Sequence, residues 1–201
     1  MNFDEVVRRR RMVRSFTEEP VDQEIVERIL DTARRGPSAG HSQGVEFVVI
    51  TNDEARLALA ATAADLLATS GHHNFIAQAP VHVMICCSPE IYRARYREPD
   101  KQRVISDWSD ERLWPTPFWH VDAGAALMLM LLAAVHEGIA AAFVGGQPDE
   151  LRALAGVPDG YHPIGVVLLG HEAADARSFG DVSAKPRARR PLSEIVHREG
   201  W

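Results

Sequence analysis

Lysine is almost absent from this 201-residue chain: Lys101 and Lys185 stand against 20 arginines in a Lys+Arg total of 22. Cysteine is as scarce. Cys86 and Cys87 are adjacent within an apolar run, and sequence neighbours seldom bridge. A disulfide framework is therefore excluded, and buried reduced thiols are expected, as suits a reducing cytoplasm. Neither GxGxxG nor GxxxxGKS/T occurs, so neither a dinucleotide fold nor a P-loop is indicated. Metal-ligand spacing is missing as well. Among nine histidines the nearest approaches are His72-His73 and His120-x-Asp122, without HExxH or CxxC, and no metal site is expected. The longest apolar run, 123–135, is too short to cross a bilayer, and the chain carries charge from residue 4 onward. A soluble cytoplasmic protein is the expectation.

What is present is a protein of ordinary globular composition, 46% hydrophobic and 25% charged, long enough to bury a core as a single domain over 1–201. Its net charge is −6, yet Arg8, Arg9, Arg10, Arg11 and Arg14 crowd its start. An acidic chain without aromatics interleaved among those arginines argues against nucleic acid as their partner. Arg8 and Arg9 read as solvated residues near a helix C-terminus, where cations are favoured. Arg10, Arg11 and Arg14 flank the apolar pair Met12-Val13, which suits a segment with one side in the core and the other at an anion. Arginine binds phosphate through paired, charge-assisted hydrogen bonds. A second cluster, KPRARRPL (185–192), places Arg187 and Arg189 at the far end of the chain.

Apolar spacing predicts helices over 2–10 and 21–35, the latter with Val21, Ile25, Ile29 and Ala33 recurring every fourth residue. The small-residue loop GPSAGHSQG (36–44) follows, able either to bring backbone N–H groups close to a ligand or simply to connect helix and strand. Strands are expected at 45–51, 80–88, 140–146 and 162–172, and helices at 53–70, 119–139 and 148–155. The helix at 119–139 is apolar on nearly every side and needs covering all round, which favours a dimer built on it. Residues 88–120 hold three of the four tryptophans and two of the three tyrosines, and read equally as a lid or as a packed surface excursion. The tail from 173 to 201 reads as an arm. The whole is an α+β or α/β domain with a small sheet and a central hydrophobic helix.

Four landmarks in register carry a resemblance. Arg10-Arg11-Met12-Val13-Arg14-Ser15-Phe16 is similar to the opening motif of the nitroreductase family of flavoproteins. Gly36-Pro37-Ser38-Ala39-Gly40 before a strand resembles its second motif. Asp122-Ala123-Gly124-Ala125 leading to Phe143-Val144-Gly145-Gly146 resembles its third, and Arg187-Ala188-Arg189-Arg190-Pro191-Leu192 its closing segment.

The resemblance implies a three-layer α+β fold: a small, mainly antiparallel sheet flanked by helices, dimerising through the central helix. It also implies two FMN molecules at the subunit interface and hydride transfer from NADH or NADPH, by way of flavin N5, to a nitroaromatic, quinone or similar acceptor in ping-pong turnover. By this likeness Arg10, Arg187 and Arg189 hold the FMN phosphate, with Arg11 beside them and Arg14 toward the N1/O2 edge, where a guanidinium stabilises negative charge. Pro37, Ser38, Ala39, Gly40 and His41 of the second subunit line the ribityl chain and ring. Gly145 offers its N–H toward N5, with Val144 and Gly146 around it. Tyr92, Tyr96, Trp108 and Trp114 are candidate substrate contacts, with Arg97 and Lys101 nearby, and Asn74 lies near a ring-contacting position of some members. No protein nucleophile or metal is required.

The chain departs from the family pattern at two positions. Met12 stands at a common serine that touches phosphate, and His41 at a common asparagine, where a ring charge would depend on pH. The same scaffold also serves reductive dehalogenation, fragmentation of reduced FMN and deazaflavin-linked reduction, and a non-catalytic flavin-binding protein is the alternative of another class.

Overall fold

A computed structural model describes residues 1–64, 74–146, 148–174 and 188–201. The sequence readings at His72-His73 and Arg187 fall outside these residues.

Four strands form one antiparallel sheet in the order β1-β2-β4-β3, where β1 is Val45–Ile50, β2 is Val81–Cys87, β3 is Ala140–Val144 and β4 is His162–Gly170. The two central strands are buried almost throughout, and their side chains alternate between two cores. Val81, Val83, Ile85 and Cys87 face a core shared with the central helix. Met84 and Cys86 face the opposite core. That period of two puts a helical layer on each face of the sheet and makes three layers.

One layer is built by α1 (Phe3–Arg9), α2 (Gln23–Ala33) and α8 (Phe118–His136). The other is built by α3 (Asp53–Thr62), α4 (Phe75–Gln78) and α9 (Pro148–Ala155). Helix starts follow side-chain caps: Asn2 Oδ1 accepts the Glu5 N–H at 2.9 Å, and Asp22 Oδ1 that of Glu24 at 2.9 Å. The segment 88–120, opaque in the sequence, folds into α5 (Pro89–Tyr96), α6 (Pro99–Ile105) and α7 (Asp110–Leu113), and α10 (Leu192–Ile195) lies in the tail. The fold is α+β with a small antiparallel sheet.

Helix α8 is long and apolar enough to cross a membrane, but it packs on all four strands and on α1 and α2. It is a core helix with one uncovered side: Phe118, Val121, Gly124 and Met128 form an exposed stripe at helical spacing. One chain supplies a single layer against it. Cys86 and Cys87 are free and buried, and burial pushes their thiols up to about 11 and about 12, which keeps them protonated and inert.

Candidate functional site

The arginine segment leaves α1 at Arg10, whose backbone turns to ψ 122°, and runs extended along the sheet. Val13 N–H donates to Ala141 O at 2.9 Å, Phe16 bridges Glu172, and Thr17 N–H donates to His171 O at 2.9 Å. Val13, Ser15 and Phe16 are buried by this docking.

The five arginines then sort into two groups. Arg9 pairs with Glu5 at 2.6 Å and Arg11 pairs with Glu172, and both line a hollow with Val13, Gly138 and Ala140. Arg8, Arg10 and Arg14 have no acidic partner among the described residues. Arg8 and Arg10 line a second, open hollow of ≈ 660 Å³ with Val7, Met128, Leu132 and Arg189. Arg189 also lacks an ion pair among the described residues, whereas its neighbour Arg190 holds Glu194 at 3.3 Å. Three arginines from the two ends of the chain thus line one hollow together with apolar residues. Arg8 was not expected there. The signal that marks it is acid content: Glu5 lies four residues before Arg9 and neutralises it, while the residue four before Arg8, Asp4, meets Arg8 only through its backbone carbonyl, at 3.3 Å.

Met12 is turned away from solvent. It packs on the core, and its sulfur accepts the Phe143 N–H at 3.4 Å, at the strand that leads to Val144, Gly145 and Gly146. Gly145 is exposed and has open space where a side chain would stand.

The Pro37–His41 loop is organised differently. Its polar backbone groups are held from behind by buried side chains. Asp122, 5% exposed on α8, accepts the Ala39 N–H at 2.8 Å and the Tyr92 hydroxyl at 2.7 Å on the same oxygen. Ser38 Oγ accepts the Gln43 N–H at 2.7 Å. Ser42 donates to Ala39 O at 2.6 Å, and Arg95 Nε donates to Gly40 O at 3.0 Å. Burial, then the Asp122 hydrogen bond, raises the Tyr92 hydroxyl far above the usual phenol range. Gly40 (φ 61°), His41 (φ 57°) and Gln43 (φ 55°) are all left-handed, and a Cβ on Gly40 would sit 2.5 Å from the Tyr96 ring. The side chains of Pro37, His41 and Gln43 remain exposed beside a hollow of ≈ 250 Å³ that also meets Phe47 and Ala126.

Of the aromatic candidates, Tyr92 is fully buried. Trp114 packs among Tyr96, Trp119 and Tyr92 at ring distances of 4.8, 5.7 and 6.3 Å, with its indole N–H buried and without an acceptor among the described residues. Lys101 Nζ lies 5.4 Å from the Tyr96 ring, and the Arg112 guanidinium covers Trp108 at 4.1 Å. Arg97 is exposed, and Asn74 caps α4. No metal-ligating cluster occurs among the described residues.

Known proteins resemble this chain in sequence and fold. The chain is similar to the FMN reductase (NAD(P)H) of Bacillus subtilis, with 29% identity over 95% of this chain and 71% of that one. A putative NADH dehydrogenase/NAD(P)H nitroreductase of Archaeoglobus fulgidus is 26% identical over 96% of this chain and 94% of its own. The crystal structure of a nitroreductase family protein from Clostridium difficile superposes with a TM-score of 0.73 at 26% identity, covering all of both chains. The model of the Nitroreductase family matches residues 7–171, and the chain belongs to that family.

Proposed function

We propose that the protein is an FMN-dependent NAD(P)H oxidoreductase acting as a homodimer, with nitroaromatics or quinones as acceptors. The observation that carries this reading is the sorting of the arginines. Guanidiniums without an acid lining one open hollow form a positive patch suited to an anion. A phosphomonoester fits, since it can accept paired hydrogen bonds from each arginine. Arg8, Arg10 and Arg189 would hold the phosphate. Arg14, unpaired and half-buried further along the same segment, would serve the electron-rich edge of the ring.

The fit extends to the rest of the group. Gly145 leaves open space where a side chain would stand, and the Pro37–His41 loop of the second copy would offer a rigid, small-residue edge. Bound there, FMN would supply the redox chemistry, hydride transfer between NADH or NADPH and the acceptor. The chain's part is to bind, orient and exclude water. Tyr96, Trp108 and Trp114 lie on the segment nearest the loop and would contribute the apolar side of the acceptor site.

Dimerisation is supported by the stripe on α8, where Val121 is 51% and Met128 47% exposed, and by Leu192, Ile195 and Val196 on the outer surface of the tail. Apolar patches of this extent are normally covered by protein.

The test is direct. Purified protein should carry or take up FMN, show a flavin absorbance band, and oxidise NADH or NADPH when a quinone or nitroaromatic is supplied. Colourless protein that takes up no FMN and consumes neither nicotinamide would overturn the proposal.

A further inference from the structure

We infer that Asp122 is the positioning residue of the site, holding the Pro37–His41 loop in a strained presentation through the Ala39 N–H, with Tyr92 and Arg95 as its braces. The inference rests on the functional reading above for what the loop faces; the bracing itself stands on contacts within the chain.

Three of the four residues from Gly40 to Gln43 are left-handed, and two of them carry side chains. Non-glycine residues persist in that region only where their surroundings over-determine them. Here the surroundings are explicit. The Tyr92 hydroxyl and the Ala39 N–H converge on one Asp122 oxygen, and within the loop the Gln43 N–H donates to Ser38 Oγ. In a water-poor interior each such bond is electrostatically stronger than in water. Asp122 has no cation beside it among the described residues, so its two accepted hydrogen bonds are what satisfies it there.

Arg95 closes the other side. Its Nε bonds Gly40 O while its other nitrogens are fixed by Asp100 at 2.7 and 2.8 Å and by Glu98 at 3.0 Å. That pairing holds the Asp100 carboxyl down to about 2. The guanidinium is thereby prevented from swinging out to solvent. The 88–100 part of the aromatic segment thus serves as a brace behind the loop, filling the space beside Gly40 with the Tyr96 ring.

Every one of these contacts reaches the loop through backbone or Ser38. None uses His41, whose side chain is left facing outward in a fixed direction. The prediction is that Asp122 acts on ligand affinity through loop position.

The experiment compares wild-type protein with Asp122→Ala, Asp122→Asn and Arg95→Gln, in the flavin-free state and by FMN titration. In Asp122→Ala, amide hydrogen exchange of residues 39–43 should accelerate at least tenfold while β2 and β4 keep wild-type protection, and the FMN Kd should rise about tenfold. Asp122→Asn keeps an acceptor oxygen and should restore most of both. Arg95→Gln, whose change lies at the surface, should accelerate exchange in the same residues by severalfold, and it decides the matter if Asp122→Ala does not fold. Unchanged exchange at 39–43 in the folded variants, or acceleration spread evenly over the sheet, overturns the positioning role. Wild-type protein with no affinity for FMN overturns the functional reading instead, and leaves the exchange result to judge the brace.

Discussion

The two flanks of the site are built on opposite rules. At the Pro37–His41 loop, hydrogen bonds to Asp122, Ser42 and Arg95 hold the backbone from within the chain. At the arginine end, Arg8, Arg10 and Arg189 line a hollow with Met128 and Leu132 and have no acidic partner among the described residues. The contrast separates scaffold from binding surface. A polar group satisfied internally sets a shape, whereas a cation left unsatisfied beside others of its kind is set for an anion. Arg9 and Arg11 make the difference visible within one short segment, since each has an acid of its own.

The comparison breaks most readily at the arginine end. Replacing Arg10 and Arg189 together by glutamine removes charge-assisted bonds worth about 4 kcal/mol in sum, so FMN affinity should fall by roughly a thousandfold while riboflavin affinity hardly moves. Equal losses for both flavins would mean that the pair supports the fold and not the phosphate.

Acid should act on neither flank first. His82 lies on β2, and burial lowers its pKa to about 4, with Nε2 bonded to Ile76 O at 2.9 Å and Nδ1 unpartnered among the described residues. The folded value lies below the ordinary 6.5, so the unfolded chain binds the proton first as pH falls. Stability is therefore fully present above about 6.5 and is lost progressively down to about 4, by up to roughly 3 kcal/mol. Chemical denaturation followed at pH 7, 5.5 and 4.5 measures this, and His82→Gln should flatten the slope.

At the loop, Asp122→Ala strands the Ala39 N–H and the Tyr92 hydroxyl and should cost about 2 kcal/mol of stability, read as a lowered denaturation midpoint. A loss below about 0.5 kcal/mol would place the loop's rigidity elsewhere. The smallest effect belongs to the paired arginines. Arg9→Gln and Arg11→Gln break ion pairs that are partly exposed, worth about 1 kcal/mol or less, and FMN affinity should stay within twofold of wild type. A loss as large as that of Arg10 would erase the distinction between the two groups.

The family was legible in the sequence because its landmarks are short motifs at fixed order, while short apolar runs marked β1 to β4 and a period-four stripe marked α2 close to their true limits. Three features resisted. Residues 88–120 mix charge and aromatics without a period, since Tyr92 and Trp114 bury against other aromatics and Asp122 while Arg95 and Asp100 pair at the surface. The role of Asp122 was hidden for a related reason. A lone acid in an apolar helix announces burial, but its partners, Ala39 and Tyr92, lie 83 and 30 residues away. The sorting of Arg8 from Arg9 is equally non-local, since it depends on where Glu5, Glu172 and Arg189 come to rest.

The most direct test of the arginine site is the affinity of the flavin-free wild-type protein for FMN against riboflavin, measured by fluorescence titration at two salt concentrations. FMN should bind at least a hundredfold more tightly, with an advantage that shrinks as salt rises. Equal affinities for the two flavins would contradict a phosphate held by Arg8, Arg10 and Arg189.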